Sequence, residues 1–203
     1  MRTITKTVYK FSELDDQAKD KARDALRYTS EYEADAVIED FAEIAKLIGL
    51  EINPRRVKPM NGETRYEPNV YYAVSHCQSD FASFSGQWSY TKGCSAAIRA
   101  YAPRDIELHA IVDAWCDLQR RNFYRLTASC SHGRDCQKVD YCTVDGRYTN
   151  DETLDAASDI VRDLAHWLYK SLRDEFEYQS SDEHIDEIIT INEYEFYENG
   201  EML

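Results

Sequence analysis

Polar and apolar residues alternate along residues 3–10 (TITKTVYK), the pattern of a strand with one buried face. The period then lengthens. Ser12, with Asp15 three positions on, has the spacing of a capping box, and Leu14, Ala18, Ala22, Ala25 and Leu26 form a narrow apolar stripe behind it. A second helix is predicted from about Tyr32, with Val37, Phe41, Ile44 and Ile48 on one face and Gly49 placed to end it. Residues 53–68 hold three prolines and an Asn61-Gly62 pair, which reads as loop and turn around at most a short strand. Residues 70–75, 81–90 and 96–101 alternate again and predict an antiparallel meander. From Pro103 a helix carries Leu108, Ile111, Trp115 and Leu118, and strand patterns return at 123–130 and 138–144 around a polar loop at 131–135.

The last third begins with Thr149 and Glu152 in a second capping arrangement. Leu154, Ala157, Val161, Leu164, Leu168 and Leu172 then repeat at helical spacing until Ser180-Ser181 breaks the run. A short helix at 181–189 and a terminal strand at 190–197 complete the chain. These elements predict an α+β fold: a single domain over 1–203, with an antiparallel sheet and helices packed on one face. No apolar run approaches the roughly 18 residues of a membrane helix. The opening residues lack the apolar core of a secretory signal, so the six cysteines read as cytosolic thiols and the expected site of action is the cytoplasm.

Charge changes the picture. The 24 Lys and Arg against 38 Asp and Glu give −14, which disfavours direct binding to a phosphate backbone. Residues 151–203 hold 16 acids and 3 bases, and between Asp174 and Glu201 there is no Lys or Arg at all. Phe176, Tyr178, Ile185, Ile188, Ile189, Ile191, Tyr194, Phe196 and Tyr197 are interleaved with those acids, so the block reads as a folded negative face rather than a solvated tail. The middle of the chain is mildly basic, through Arg55, Arg56, Lys58, Arg65, Arg120, Arg121, Arg125 and Arg134. Beside Tyr66, Tyr71, Phe123 and Tyr124, these residues suit either stacking on single-stranded nucleic acid or an internal counter-surface for the acidic third.

Candidate chemistry is sparse. Cys130, His132, Cys136 and Cys142 could enclose zinc, but no paired Cys-x-x-Cys spacing is present, and thiols in and beside strands are the simpler reading. His76-Cys77 on a strand would point to opposite faces, and His109 and Cys116 lie two helical turns apart, so neither forms a nucleophile–base pair. The acids at 182–187 lack the spacing and central glycine of a calcium loop, leaving no catalytic set, metal or cofactor indicated.

Three stretches, VYKFSELDDQAKDKARDALR, SHCQSDFASFSGQW and EYQSSDEHIDEIITINEYEFYENG, together resemble a family of small acidic phage and prophage proteins. That family often carries the label "antitoxin of toxin–antitoxin stability system". In the second stretch Gln78, Asp80, Ala82, Phe84 and Gly86 match the family's strand turn, while Ser79 and Phe81 replace two of its glycines. The resemblance implies a phage accessory protein and brings no catalytic residues with it. Joined to the charge, it gives the expected function: a non-enzymatic counter-defence inhibitor, of anti-CRISPR or anti-restriction type. Such a protein would enter the basic cleft of a host defence protein or nuclease complex as a nucleic-acid mimic. The residues expected to make the contact are Asp174, Glu175, Glu177, Asp182, Glu183, Asp186, Glu187, Glu193, Glu195 and Glu198. An antitoxin-like neutraliser and an enzyme degrading a defence signal are the alternatives.

Overall fold

The computed structural model describes residues 6–29, 31–58, 62–74, 80–133 and 137–203. The chain resolves into two compact units, one formed by Ala34–Arg173 and the other by its two ends, Met1–Glu33 with Asp174–Leu203. Every strand pair among the described residues is antiparallel, and the α+β class expected from the sequence is the one observed.

In the central unit, α2 (Asp35–Ile48) ends on Gly49, whose left-handed φ of 83° turns the chain directly into β2 (Leu50–Ile52). Two hairpins follow, β3 (Pro54–Val57) with β4 (Arg65–Pro68), and β5 (Val70–Ala73) with β6 (Phe81–Phe84). Next come β7 (Gly86–Ser89), α3 (Cys94–Tyr101), α4 (Ile106–Arg121), β8 (Leu126–His132), β9 (Gln137–Val144), β10 (Arg147–Tyr148) and α5 (Asp151–Gln179), whose residues from Asp174 on belong to the terminal unit. The main sheet has the order β10-β9-β8-β7-β2. Trp88, Ala128 and Cys142 are in register across β7, β8 and β9 and all three are buried, so one sheet face carries the core. There Trp88 stacks on Trp115 with ring centroids 4.3 Å apart and donates its indole N–H to the Ile48 carbonyl at 3.0 Å.

In the terminal unit, β1 (Tyr9–Lys10) pairs with β11 (Glu195–Phe196), with Tyr9 opposite Phe196. A 3-10 turn leads from β1 into α1 (Asp16–Thr29), which packs against α6 (Asp182–Ile191). Leu14, Ala18, Ala22 and Leu26 form one core with Ile185, Ile189 and Phe196. Small residues on α1 bring the backbones close, and Gly200, at φ 79°, lies so near Ala18 that a Cβ there would collide with its carbonyl oxygen.

Several boundaries depart from the sequence reading. Residues 96–101 are helix α3, not strand; Ala96, Ala97 and Ala100 favour helix, and burial of Cys94 and Ile98 four positions apart supplies the packing. Within residues 53–68, Pro54–Val57 and Arg65–Pro68 pair along four residues each. The cap of α1 is Asp15 rather than Ser12, its carboxylate accepting from Ala18 N at 2.8 Å, and the cap of α5 is Asn150 rather than Thr149, accepting from Thr153 N at 3.0 Å. Pro103 lies outside α4, which Asp105 caps through Leu108 N. Phe123 and Tyr124 adopt φ of 56° and 60° in a tight turn, so the strand starts at Leu126. The last strand is only two residues long, because Ile185 and Ile189 recruit residues up to Ile191 into α6.

Candidate functional site

The ten acids expected to form a negative face all belong to the terminal unit, and the structure sorts them into three groups. Asp182 and Asp186 stand in the first turns of α6, where Ser181 caps the helix and its N-terminal dipole favours carboxylates. Both face α1. Arg23 grips Asp186 through two parallel bonds, Nε to Oδ1 and Nη2 to Oδ2, each 2.7 Å. It also reaches Asp20 at 3.1 Å and lies over the Phe11 ring. Arg27 binds Asp182 at 2.6 Å and donates its Nε to the Ser180 carbonyl at 2.9 Å. The hydrogen bond to Asp186 raises the Arg23 pKa above its ordinary value against the opposing effect of burial. These two carboxylates are internal fasteners.

Glu175 is half-buried and accepts from Gln179 Nε2 at 2.8 Å, while the same amide clamps the Glu33 backbone at 3.0 and 2.8 Å. Asp174 and Glu177 are exposed but engaged with neighbours. The remaining five, Glu183, Glu187, Glu193, Glu195 and Glu198, are exposed and make no ion pair among the described residues. Glu183 and Glu187 lie one turn apart on the outer side of α6, where Ile191 is also exposed. Glu193, at φ 52°, and Glu195 line a cleft of about 460 Å³ with Lys10, Phe11 and Tyr194. On the far side of α1, Lys21 meets Glu201 at 3.2 Å, and the hydrogen bonds from Asn199 and Lys21 hold the Glu201 carboxyl below its usual range.

Arg23, Arg27 and Lys21 are the residues of this unit that sequence reasoning missed. The four-residue spacing of Arg23 and Arg27 on α1 was visible, but the acidic partners of the three cations lie 155 to 180 positions away. Among the described residues, Asp182, Asp186 and Glu201 take their cations from α1. The basic middle of the chain satisfies its own acids: Arg99 with Asp113, Arg120 with Asp117, Arg125 with Asp145, and Arg55 and Arg65 with Glu67. It also divides in two, with Arg55, Arg56, Arg65, Tyr66 and Tyr71 around the two hairpins and Arg120, Arg121, Phe123, Tyr124 and Arg125 where α4 meets β8.

The other candidates are structural where they are described. His132 Nδ1 is 2.6 Å from the Ser83 hydroxyl, and its ring stacks against both Tyr71 and Phe81. Ser83 is fully buried, so this pair presents no accessible nucleophile. Cys130 and Cys142 are buried in the sheet, where burial pushes their thiols up to about 12 and about 11. Among the described residues no three His, Cys, Asp or Glu side chains are grouped to hold a metal ion. Cys136, Arg134, His76, Cys77 and Gln78 lie outside the described residues. His109 is held to the Ala102 carbonyl at 2.8 Å, away from Cys116. No helix among the described residues is long and apolar enough to cross a membrane.

Residues 34–182 match the family profile described as a domain of unknown function, DUF8835. The chain belongs to that family. The DUF8835 match begins at Ala34, where the central compact unit begins, and ends in the first residue of α6. Residues 1–33 and 183–203, which supply α1, β1, β11 and nearly all of α6, lie outside it. No curated protein and no solved structure matches the chain.

Proposed function

We propose that this protein acts by binding rather than by catalysis, as a phage-encoded counter-defence inhibitor. Its acidic terminal unit occupies the basic, nucleic-acid-binding cleft of a host defence nuclease. The observation that carries this reading is the charge of that unit. Residues 1–33 hold 7 acids and 7 bases, and residues 174–203 hold 11 acids and none, so the unit stands at −11 of the chain's −14. Its bases are partly consumed by Asp182, Asp186, Glu201, Asp20 and Asp24. The exposed glutamates at 183, 187, 193, 195 and 198 are thereby left to an external cation, on a frame that the Arg23 and Arg27 pairs hold in place. Such an array is steered toward Lys- and Arg-lined clefts and takes the place of phosphates in charge-assisted pairs. The phage setting rests on the resemblance of residues 8–27, 75–88 and 177–200 to the antitoxin-labelled phage family.

The test is DNA cleavage by a host restriction or CRISPR nuclease in the presence of the purified chain. Replacing Glu183, Glu187, Glu193 and Glu198 together by Lys is expected to abolish inhibition while circular dichroism remains unchanged. Inhibition by the wild type is expected to weaken as salt rises. Undiminished inhibition by the folded quadruple variant would overturn the proposal.

A further inference from the structure

Two cysteines that the proposed function does not use stand in contact within the central unit. Cys94 opens α3 and Cys116 lies in the second half of α4, and their Sγ atoms are 3.1 Å apart. Both are free thiols. The separation is about 1 Å longer than a disulfide bond of about 2.05 Å. It is shorter than the roughly 3.5–4.0 Å at which even carbon atoms rest in contact.

The two sulfurs differ in environment. Cys94 is buried, and burial with the hydrogen bond to Cys116 pushes its thiol up to about 12. Cys116 is only partly buried. The Ser95 hydroxyl lies 3.4 Å from the Cys116 sulfur and 2.9 Å from Asp113, which Arg99 anchors in turn. A partly exposed cysteine touching a buried one is the arrangement of an attacking and a resolving thiol. Cys130 and Cys142 lack this asymmetry, since both are buried.

We propose that Cys94 and Cys116 form a reversible redox pair, a modification site that takes a low-molecular-weight disulfide of the glutathione type as its oxidant. The Cys116 sulfur, once deprotonated, attacks one sulfur of the oxidant. The oxidant's S–S bond breaks, and one glutathione leaves with the bonding electrons and takes up a proton. Cys94 then gives up its proton and displaces the second glutathione from Cys116. The protein loses two electrons and two protons to become the Cys94–Cys116 disulfide, and the oxidant becomes two thiols. Reduction by excess thiol reverses both steps. The bond staples α3 to α4 beside Trp115, the partner of Trp88 in the core.

The experiment incubates the full chain with oxidised glutathione, alkylates the remaining thiols and maps the peptides without reduction. The expected result is loss of two thiols, one cross-linked pair of peptides containing Cys94 and Cys116, and full recovery with dithiothreitol. Tryptophan fluorescence should change with the same time course. Cys94→Ser should hold a glutathione on Cys116, and Cys116→Ser should leave Cys94 unmodified. The proposal is overturned if both thiols of the wild-type chain still alkylate at their starting rates. It is equally overturned if glutathione remains on wild-type Cys116 with Cys94 free. The wild-type map decides the question even if a variant fails to fold.

Discussion

The two compact units solve the same packing problem with opposite materials. Residues 34–173 carry 20 acids and 17 bases, a balance of −3, and contain all three tryptophans of the chain. Their core is built from bulky side chains, Trp88, Trp115, Phe41 and Phe84 among them, each fully buried. The terminal unit carries −11, and its core is smaller, with Leu14, Leu26, Ile185, Ile189 and Phe196 packed around Ala18 and Ala22. Less apolar area leaves a weaker hydrophobic contribution, and excess like charge opposes compactness. The forked pair from Arg23 and the single bond from Arg27 to Asp182 meet both deficits at the contact of α1 with α6. A strongly acidic surface can therefore sit on a folded frame when its few cations are placed on the inner side.

The largest effect that would sharpen this comparison is expected from Trp88→Ala. Emptying a fully buried tryptophan site costs about 3–5 kcal/mol, read as a lower urea midpoint by fluorescence of Trp115 and Trp167. A change well below that range would show that the central core is looser than its packing. Next comes Arg23→Ala, which leaves Asp186 without its bidentate partner where the Arg23 side chain is only 19% exposed. A loss of about 1.5–3 kcal/mol is expected in the terminal unit, read by faster amide exchange in α1 and α6, with the tryptophan transition unmoved. Unchanged exchange would make the ion pairs ornamental.

The smallest effect concerns pH. In the central unit the hydrogen bond from Arg99 holds the Asp113 carboxyl below its ordinary range, so its folded value is depressed. Its stabilisation is present at neutral pH and lost as pH falls through that lowered value. With the carboxylate 45% exposed, this amounts to about 1 kcal/mol or less after solvent screening, and Arg99→Ala should flatten that acid limb. Arg23 has the opposite sign. Its pKa is raised, so its contribution would lapse only as pH rises through that higher value, above the ordinary guanidinium range.

Much of this was legible in the sequence. The stripes of α2, α4 and α5, the stop at Gly49 and the break at Ser180-Ser181 are local signals, and each corresponds to an observed element or boundary. The caps at Asp15 and Asn150 were missed because Ser12 and Thr149 offered competing oxygens three residues and one residue earlier. Helix α3 was missed because its alternation mimics a strand over six residues, too short for the helical period to separate from it. The acids were legible as a charged block, but not their division into fasteners and exposed groups. Asp186 and Glu187 are neighbours in sequence, yet Arg23 grips one and leaves the other to solvent. The contact between Cys94 and Cys116 depends on two helices packing together, and neither residue's neighbours announce it.

The antiparallel pairing of Tyr9–Lys10 with Glu195–Phe196 carries a consequence for biosynthesis. The ribosome makes α1 before the central unit and α6 after it. At about 5–20 residues per second, the N-terminal helix waits roughly ten seconds or more for its partner to emerge. During that interval Leu14, Ala18 and Leu26 lack the partners that α6 and β11 supply, whereas Ala34–Arg173 has the whole of its own core as soon as Arg173 has emerged. The order of assembly is thus set by connectivity. The acidic unit is the last part of the molecule to close, and a nascent chain cut short before residue 182 carries no α6 to close it.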